Sequence, residues 1–138
     1  MPPPAGYSGT PTAKKLGMKP GDRVALIGCD ATARELLGAM CGELEIRTDL
    51  RARSHAVVVL FCPDMRTLET TFDRARARLT PSGGLWVAWP KKASGVATDL
   101  SDRIVREFGL AAGMVDNKKC AVTDVWSGLR FVVRLKDR

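Results

Sequence analysis

No run of about 18 apolar residues occurs in the chain, so no segment is expected to span a membrane. The opening residues, MPPPAGYSGT, hold no basic stretch followed by an apolar one, and they are not read as a secretory signal. Cysteine is sparse: Cys29, Cys41, Cys62 and Cys120 lie far apart and form no CxxC pair. Zinc ligands normally come closely spaced, and His55 is the single histidine, so a zinc site is not expected. Reduced cysteines in a cytoplasmic protein fit this pattern better than a disulfide scaffold. Aromatic residues make up 6% of the chain, with no lysine-arginine block and no interleaving of basic and aromatic residues of the kind that tracks nucleic acid.

What remains is an ordinary globular composition, 45% hydrophobic and 27% charged. With 138 residues, one domain suffices, and such a chain buries about two-thirds of its unfolded surface. Residues 1–9 read as an extended Pro/Gly/Ser-rich arm and residues 10–138 as a single α/β domain. Lys and Arg number 22 against 15 Asp and Glu, a formal charge of +7 that favours anionic partners. A basic surface that is merely solvated explains the same number.

The apolar periodicity alternates between strand and helix. Thr10-Pro11 caps a short helix over 11–16 that Gly17 ends. A buried-type strand follows at 23–27, then a helix over 32–42 opened by the capping box Thr32-Ala-Arg-Glu35. A weak strand at 44–48 precedes AVVVLF at 56–61, apolar on both faces as a covered parallel strand must be. Met65, Leu68, Phe72, Ala75 and Leu79 step by three and four along a helix. Pro81 to Gly84 form a turn into a strand at 85–89, and Thr98 caps a helix that Gly109 stops. Two strands, 113–122 and 126–135, make a terminal antiparallel hairpin. The fold class expected is therefore α/β: a three-layer, Rossmann-like, mainly parallel sheet with a C-terminal antiparallel hairpin. The link from 49 to 54 is taut, because it skips one strand with six residues. The 44–48 strand is accordingly short, or antiparallel if the link simply turns back.

Two stretches resemble class I methyltransferases: KPGDRVALIG, like their helix-turn-first-strand opening, and LTPSGGLWVAW, like their helix-turn-fifth-strand segment. A closer resemblance, over nearly the whole chain, is to a small bacterial family known only as a domain of unknown function. Its marks are YSGTP with KKLG (7–17), WPKKASG (89–95), and WSGL followed by an apolar strand and KDR (126–138). The methyltransferase resemblance implies S-adenosylmethionine as cofactor, Gly28 against its backbone, and an acidic residue such as Asp49 on its ribose. The chain departs from that pattern. Leu26, Asp30 and Thr32 stand where the enzymes carry an acidic residue and further glycines, and side chains there crowd a nucleoside. No cofactor is therefore predicted.

Open α/β sheets bind ligands beyond the carboxyl ends of their parallel strands. The loops there supply Gly28 and Asp30, Asp64, and the stretch Lys91, Lys92, Ser94 and Gly95. The lysines, a hydroxyl and the start of the helix capped by Thr98 suit a phosphate or carboxylate; simple solvation of the lysines is the competing reading. Asp30 and Asp64 form a carboxylate pair over the cleft or, as aspartates after strands usually do, cap the helices that follow. His55 falls at the wrong end of the sheet for a base. Cys29 and Cys62 sit at adjacent strand tips, and inert packing is the simpler account. Trp89 and Trp126 offer a stacking surface or serve as core anchors. Tyr7 and Lys14-Lys15 suit a lid over the cleft, or the arm joins two copies through a sheet edge. The expected role is a non-catalytic binding or regulatory module for a small anionic ligand or a protein partner, with a homodimer as one arrangement. The alternatives are an S-adenosylmethionine-dependent methyltransferase with a degenerate cofactor loop using Gly28, Asp30, Asp49 and Asp64, and a nucleic-acid-associated basic protein.

Overall fold

The computed structural model describes residues 12–29, 31, 44–51 and 54–138. The N-terminal arm with Tyr7, the Thr10-Pro11 cap, Asp30, Cys41 and the helix expected over 32–42 lie outside these residues. The strands are β1 (Arg23–Ile27), β2 (Glu45–Arg47), β3 (His55–Phe61), β4 (Leu79–Pro90), β5 (Met114–Ala121) and β6 (Trp126–Val133). The helices are α1 (Thr12–Lys15), α2 (Met65–Arg76) and α3 (Asp102–Ala111).

One sheet runs in the order β2-β1-β3-β4-β6-β5. The β2, β1, β3 and β4 pairings are parallel, while β6 is antiparallel to both β4 and β5. The sheet is thus mainly parallel and ends in the expected hairpin. Because side chains alternate between faces, the apolar runs feed two cores. Val58, Leu60, Cys62, Leu85, Val87 and Trp89 point to one side, where Leu68, Phe72 and Ala75 of α2 and Val105 of α3 cover them. Val57, Val59, Phe61, Trp86 and Ala88 point to the other, where Ala13 of α1 packs with Leu16 and Met18 just after it. The buried Trp86 Nε1–H donates to the Leu16 carbonyl at 3.0 Å, fixing the short first helix to the sheet.

β2 is parallel and has three residues, pairing with Arg23, Val24 and Ala25 of β1. The link does skip a strand, and the length of β2 relieves it: leaving the sheet level with Ala25 shortens the path to the start of β3. Ser54, the last link residue, takes φ 65°, a left-handed conformation that costs a non-glycine residue about 1 kcal/mol. Glu45 holds this short edge by accepting from Arg23 at 2.6 Å and Arg47 at 2.8 Å. Those guanidiniums hold its carboxyl below the usual carboxylate range.

Three local expectations need correction. The segment expected to turn at 81–84 belongs to β4, whose register jumps from His55↔Leu79 to Val57↔Gly84. Gly83 makes this bulge fit, since a Cβ there would lie 3.0 Å from the Ala56 carbonyl oxygen. Thr98 does not cap α3; Ser101 does, accepting from Ile104 N–H at 3.3 Å. Thr98 instead accepts from Leu100 N–H, and Asp99 is drawn away to Met65 N–H at 2.8 Å, so the helix starts three residues late. Gly109 does not stop α3 either. It lies inside the helix where the backbone crosses Phe131, whose ring would stand 2.0 Å from an added Cβ. The terminator is Gly113, at φ +90°.

Candidate functional site

A cleft of about 530 Å³ opens beyond the end of β4. Its walls are Trp89, Pro90, Lys91 and Lys92, the loop from Gly95 through Thr98 and Leu100 to the first turn of α3, and Lys119 and Ser127 of the hairpin. The loop has a defined shape. Lys91 N–H donates to the Val125 carbonyl at 2.7 Å, tying the strand end to the hairpin turn. A single 3₁₀ turn, Lys92–Ser94, follows, and Gly95 closes it in the left-handed region at φ 76°. Ser94 Oγ donates to the Lys91 carbonyl at 2.6 Å and accepts from Val96 N–H at 3.2 Å.

Lys91, Lys92, Gly95 and Thr98 therefore share this cleft, whereas Ser94 shapes the loop and is absent from its walls. The ammonium groups of Lys91 and Lys92 have no hydrogen bond or ion pair among the described residues. Lys119 does have one. Its Nζ lies 2.5 Å from Asp102, which also pairs with Arg106 at 2.5 Å. The Lys119 hydrogen bond is the leading cause holding the Asp102 carboxyl below the usual range, with both cations adding to it. Arg106 in turn reaches Asp116 at 3.1 Å, which raises its own pKa. The cleft thus has one rim of neutralised charge and one rim of uncompensated cations.

Neither helix start in this region is open to an anion. Asp64 caps α2, accepting from Thr67 N–H and Oγ1, each at 2.8 Å, and these bonds keep its carboxyl ionised to unusually low pH. Asp99 takes Met65 N–H of the same helix. At α3 the cap is Ser101, and Asp102 follows it with its own charge. The capping alternative for Asp64 is what the geometry provides.

Gly28 stands at the tip of β1 with φ +74°, and a Cβ there would meet the Phe61 carbonyl oxygen at 3.1 Å. The neighbouring strand's backbone accounts for this glycine without a ligand. Asp49, the residue the methyltransferase resemblance would place on a ribose, instead accepts Arg51 N–H at 3.0 Å in a local turn. The next residue, Leu50, is buried and packs with the core on the α2 side of the sheet. It shares a separate cavity with Arg74, Ala77 and Arg78 at the carboxyl end of α2, so the chain has already turned away from the strand tips. Among the described residues, Asp49 does not stand where the ribose of a nucleoside cofactor would need it.

The remaining candidates are dispersed. Cys62 packs into the core on the α2 face, and burial pushes its thiol up to about 12. Cys29 packs against the opposite core, so the two thiols do not face one another. Burial likewise raises the Cys120 thiol. Trp89 and Trp126 anchor opposite cores, Trp126 meeting Phe61 edge-on at 5.3 Å, so they form no common stacking face. Lys14 and Lys15 sit on α1, across the sheet from the α3 side that closes the cleft. His55 begins β3, fully buried, at the end of the sheet away from the cleft. Sequence reading missed Lys119, Asp102, Ser101 and Ser127. The i,i+4 pair Asp102–Arg106 and the lysine doublet in a strand were the available signals for the first two.

The sequence matches the family "Protein of unknown function (DUF3052)" over residues 13–135. No curated protein matches it. Among solved structures, it is similar to a SAM-dependent methyltransferase from Aquifex aeolicus, with 14% identity and a TM-score of 0.62 over 88% of this chain and 87% of that one. The N-methyltransferase NodS from Bradyrhizobium japonicum WM9, in complex with S-adenosyl-L-homocysteine, aligns at 17% identity and TM-score 0.58, covering 86% and 81% of the two chains. A TehB-like SAM-dependent methyltransferase from Corynebacterium glutamicum aligns at 10% identity and TM-score 0.58, covering 94% and 91%. Identities this low speak to architecture alone, and the alignments span most of both chains. The chain belongs to the DUF3052 family of unknown function and carries the Rossmann-like methyltransferase fold.

Proposed function

We propose that this protein is a binding module on a methyltransferase framework, and that its cleft beyond β4 takes a small anionic ligand. The observation that supports this reading is the pair of unpartnered ammonium groups, Lys91 and Lys92, on a concave surface whose other charges are already neutralised. An anion entering there gains two charge-assisted contacts, with Ser101 and Ser127 hydroxyls nearby on the walls. It displaces no existing ion pair. Trp89, Leu100 and Val96 give the cleft an apolar side, which suits an organic anion better than a bare inorganic one.

The test is differential scanning fluorimetry with pyrophosphate and with citrate. A ligand that raises the melting temperature of the wild type should leave Lys91→Ala/Lys92→Ala unmoved, while the unliganded melting points of the two proteins agree. An equal ligand response in both proteins would sink the reading. A second reading, S-adenosylmethionine-dependent methylation, draws on the solved structures that share this fold, one of them in complex with S-adenosyl-L-homocysteine. Gly28 would then lie against the cofactor, with Asp30 and Asp64 beside it. Calorimetry with S-adenosylmethionine and S-adenosylhomocysteine separates the two: saturable micromolar heat that survives Lys91→Ala/Lys92→Ala selects the second.

A further inference from the structure

On the sheet face that carries α1, away from the cleft, Arg130 of β6 lies across Gly84 of β4. An added Cβ at Gly84 would stand 2.4 Å from Arg130 Nε and 2.8 Å from its Cζ and Nη2. The guanidinium therefore occupies space that the side chain of any other residue at position 84 would fill. It is half-buried, and among the described residues it has neither a hydrogen bond nor an ion pair. A guanidinium removed from water in this way ordinarily faces a carboxylate or another anion.

The neighbours of Arg130 are cations instead. Lys118 of β5 is its cross-strand partner, so the two side chains leave the same face. The Lys118 ammonium is drawn inward over the sheet, donating to the Lys15 carbonyl at 2.7 Å. Arg138 folds back on the other side, its Nε donating to the Val133 carbonyl at 2.9 Å. Loss of water and the proximity of Arg138 both lower the Arg130 pKa, in that order, and no carboxylate offsets them. Asp116, two residues before Lys118, is committed to Arg106. A register shift between Asp116 and Lys118 lets β5 offer these neighbours to different partners.

We propose that Arg130, Lys118 and Arg138 form a phosphoryl-binding site on this face, separate from the cleft and on the opposite side of the sheet. Arg138 beside Arg130, with Lys118 on the same face, calls for a ligand group with more than one negative charge, which a single carboxylate does not supply. The planar guanidinium presents paired N–H donors that match two phosphoryl oxygens. The same chemistry serves a free oligophosphate or the phosphodiester backbone of a nucleic acid, and both are sources the experiment distinguishes.

The test measures binding of tripolyphosphate by calorimetry and of a fluorescent single-stranded 20-mer by anisotropy, on the full chain. Wild type should bind at least one of them. Arg130→Gln should weaken that binding tenfold or more, and Lys118→Ala and Arg138→Ala by several-fold each. Gly84→Ala should weaken it as Arg130→Gln does, because the methyl group displaces the guanidinium, while the melting point stays near wild type. The same losses should appear in a Lys91→Ala/Lys92→Ala background, where the cleft no longer contributes to phosphate binding. Binding of tripolyphosphate without oligonucleotide binding assigns a small phosphorylated ligand. Oligonucleotide binding that weakens steeply with salt, with a shallower slope in each variant, assigns a nucleic acid. Binding of neither probe overturns the proposal, as does binding that Arg130→Gln and Gly84→Ala leave intact or that Lys91→Ala/Lys92→Ala abolishes.

Discussion

The tips of β1 and β4 occupy comparable places at the carboxyl edge of the parallel sheet, yet they are built for different ends. At the β1 tip, Gly28 turns through a left-handed conformation directly against the Phe61 carbonyl, and backbone meets backbone. At the β4 tip, Trp89 closes the core and the next residues leave it as a loop, with two lysines unopposed above a cleft. The glycine of the first tip is accounted for by the neighbouring strand. The polar residues of the second are left over after every local structural demand has been met. In this fold the place where a cofactor is expected and the place where chemistry is left unsatisfied have come apart.

The strongest way to break this contrast is to ask whether the wall of the cleft is core or ligand surface. Trp89 is 4% exposed and packs with Leu100 and the α2-side core, so Trp89→Ala should cost about 3–5 kcal/mol in chemical denaturation. A loss below about 1 kcal/mol would mean the ring is held for a ligand instead. Next in size is Gly28→Ala. Its positive φ and the 3.1 Å approach to Phe61 predict about 1–2 kcal/mol of destabilisation, with the ligand response of the folded protein unchanged. If Gly28→Ala instead keeps its stability and loses binding, the two tips have been assigned the wrong way round.

Much of this was legible beforehand, for identifiable reasons. β1 was read at its observed bounds, and β3 and α2 nearly so, because continuous apolar runs and three-four stepping leave little choice. The hairpin was legible from Trp126 onward, where polar turn residues separate two strand patterns. Tertiary competition was not legible. Thr98 has the chemistry of a cap, but Asp99 is captured by Met65 from another helix, and only the fold brings those two together. Gly109 has the look of a terminator, while its real task is to let α3 approach Phe131. Of the site, Lys91, Lys92 and Gly95 were named because they adjoin a strand end in sequence. Lys119 arrives from the hairpin and Arg130 from the opposite face; both depend on cross-strand register, which alternation alone does not fix.

Two smaller effects sharpen the picture of the cleft. Ser101→Ala removes the α3 cap and should cost about 1 kcal/mol without altering the charge of the cleft. Ser101→Gly should recover most of that loss, since glycine tolerates the cap position. Smallest in stability is Asp102→Asn, which breaks partly exposed ion pairs and should cost about 0.5 kcal/mol or less. Its pH dependence has a definite sign. The Asp102 pKa is lowered in the folded protein, so its contribution is complete above the ordinary value of 3.8 and disappears as pH falls through the folded value. The stability difference between wild type and Asp102→Asn should therefore be constant at neutral pH and close below 3.8. Binding should move the other way. Without its carboxylate partner Lys119 joins Lys91 and Lys92 as an uncompensated cation, so the variant should bind a citrate or pyrophosphate ligand more tightly than wild type. Tighter binding at slightly lower stability is the behaviour of a site whose charge is set by its own ion pair. Weaker binding would mean that Asp102 itself contacts the ligand, and that the occupant is not an anion.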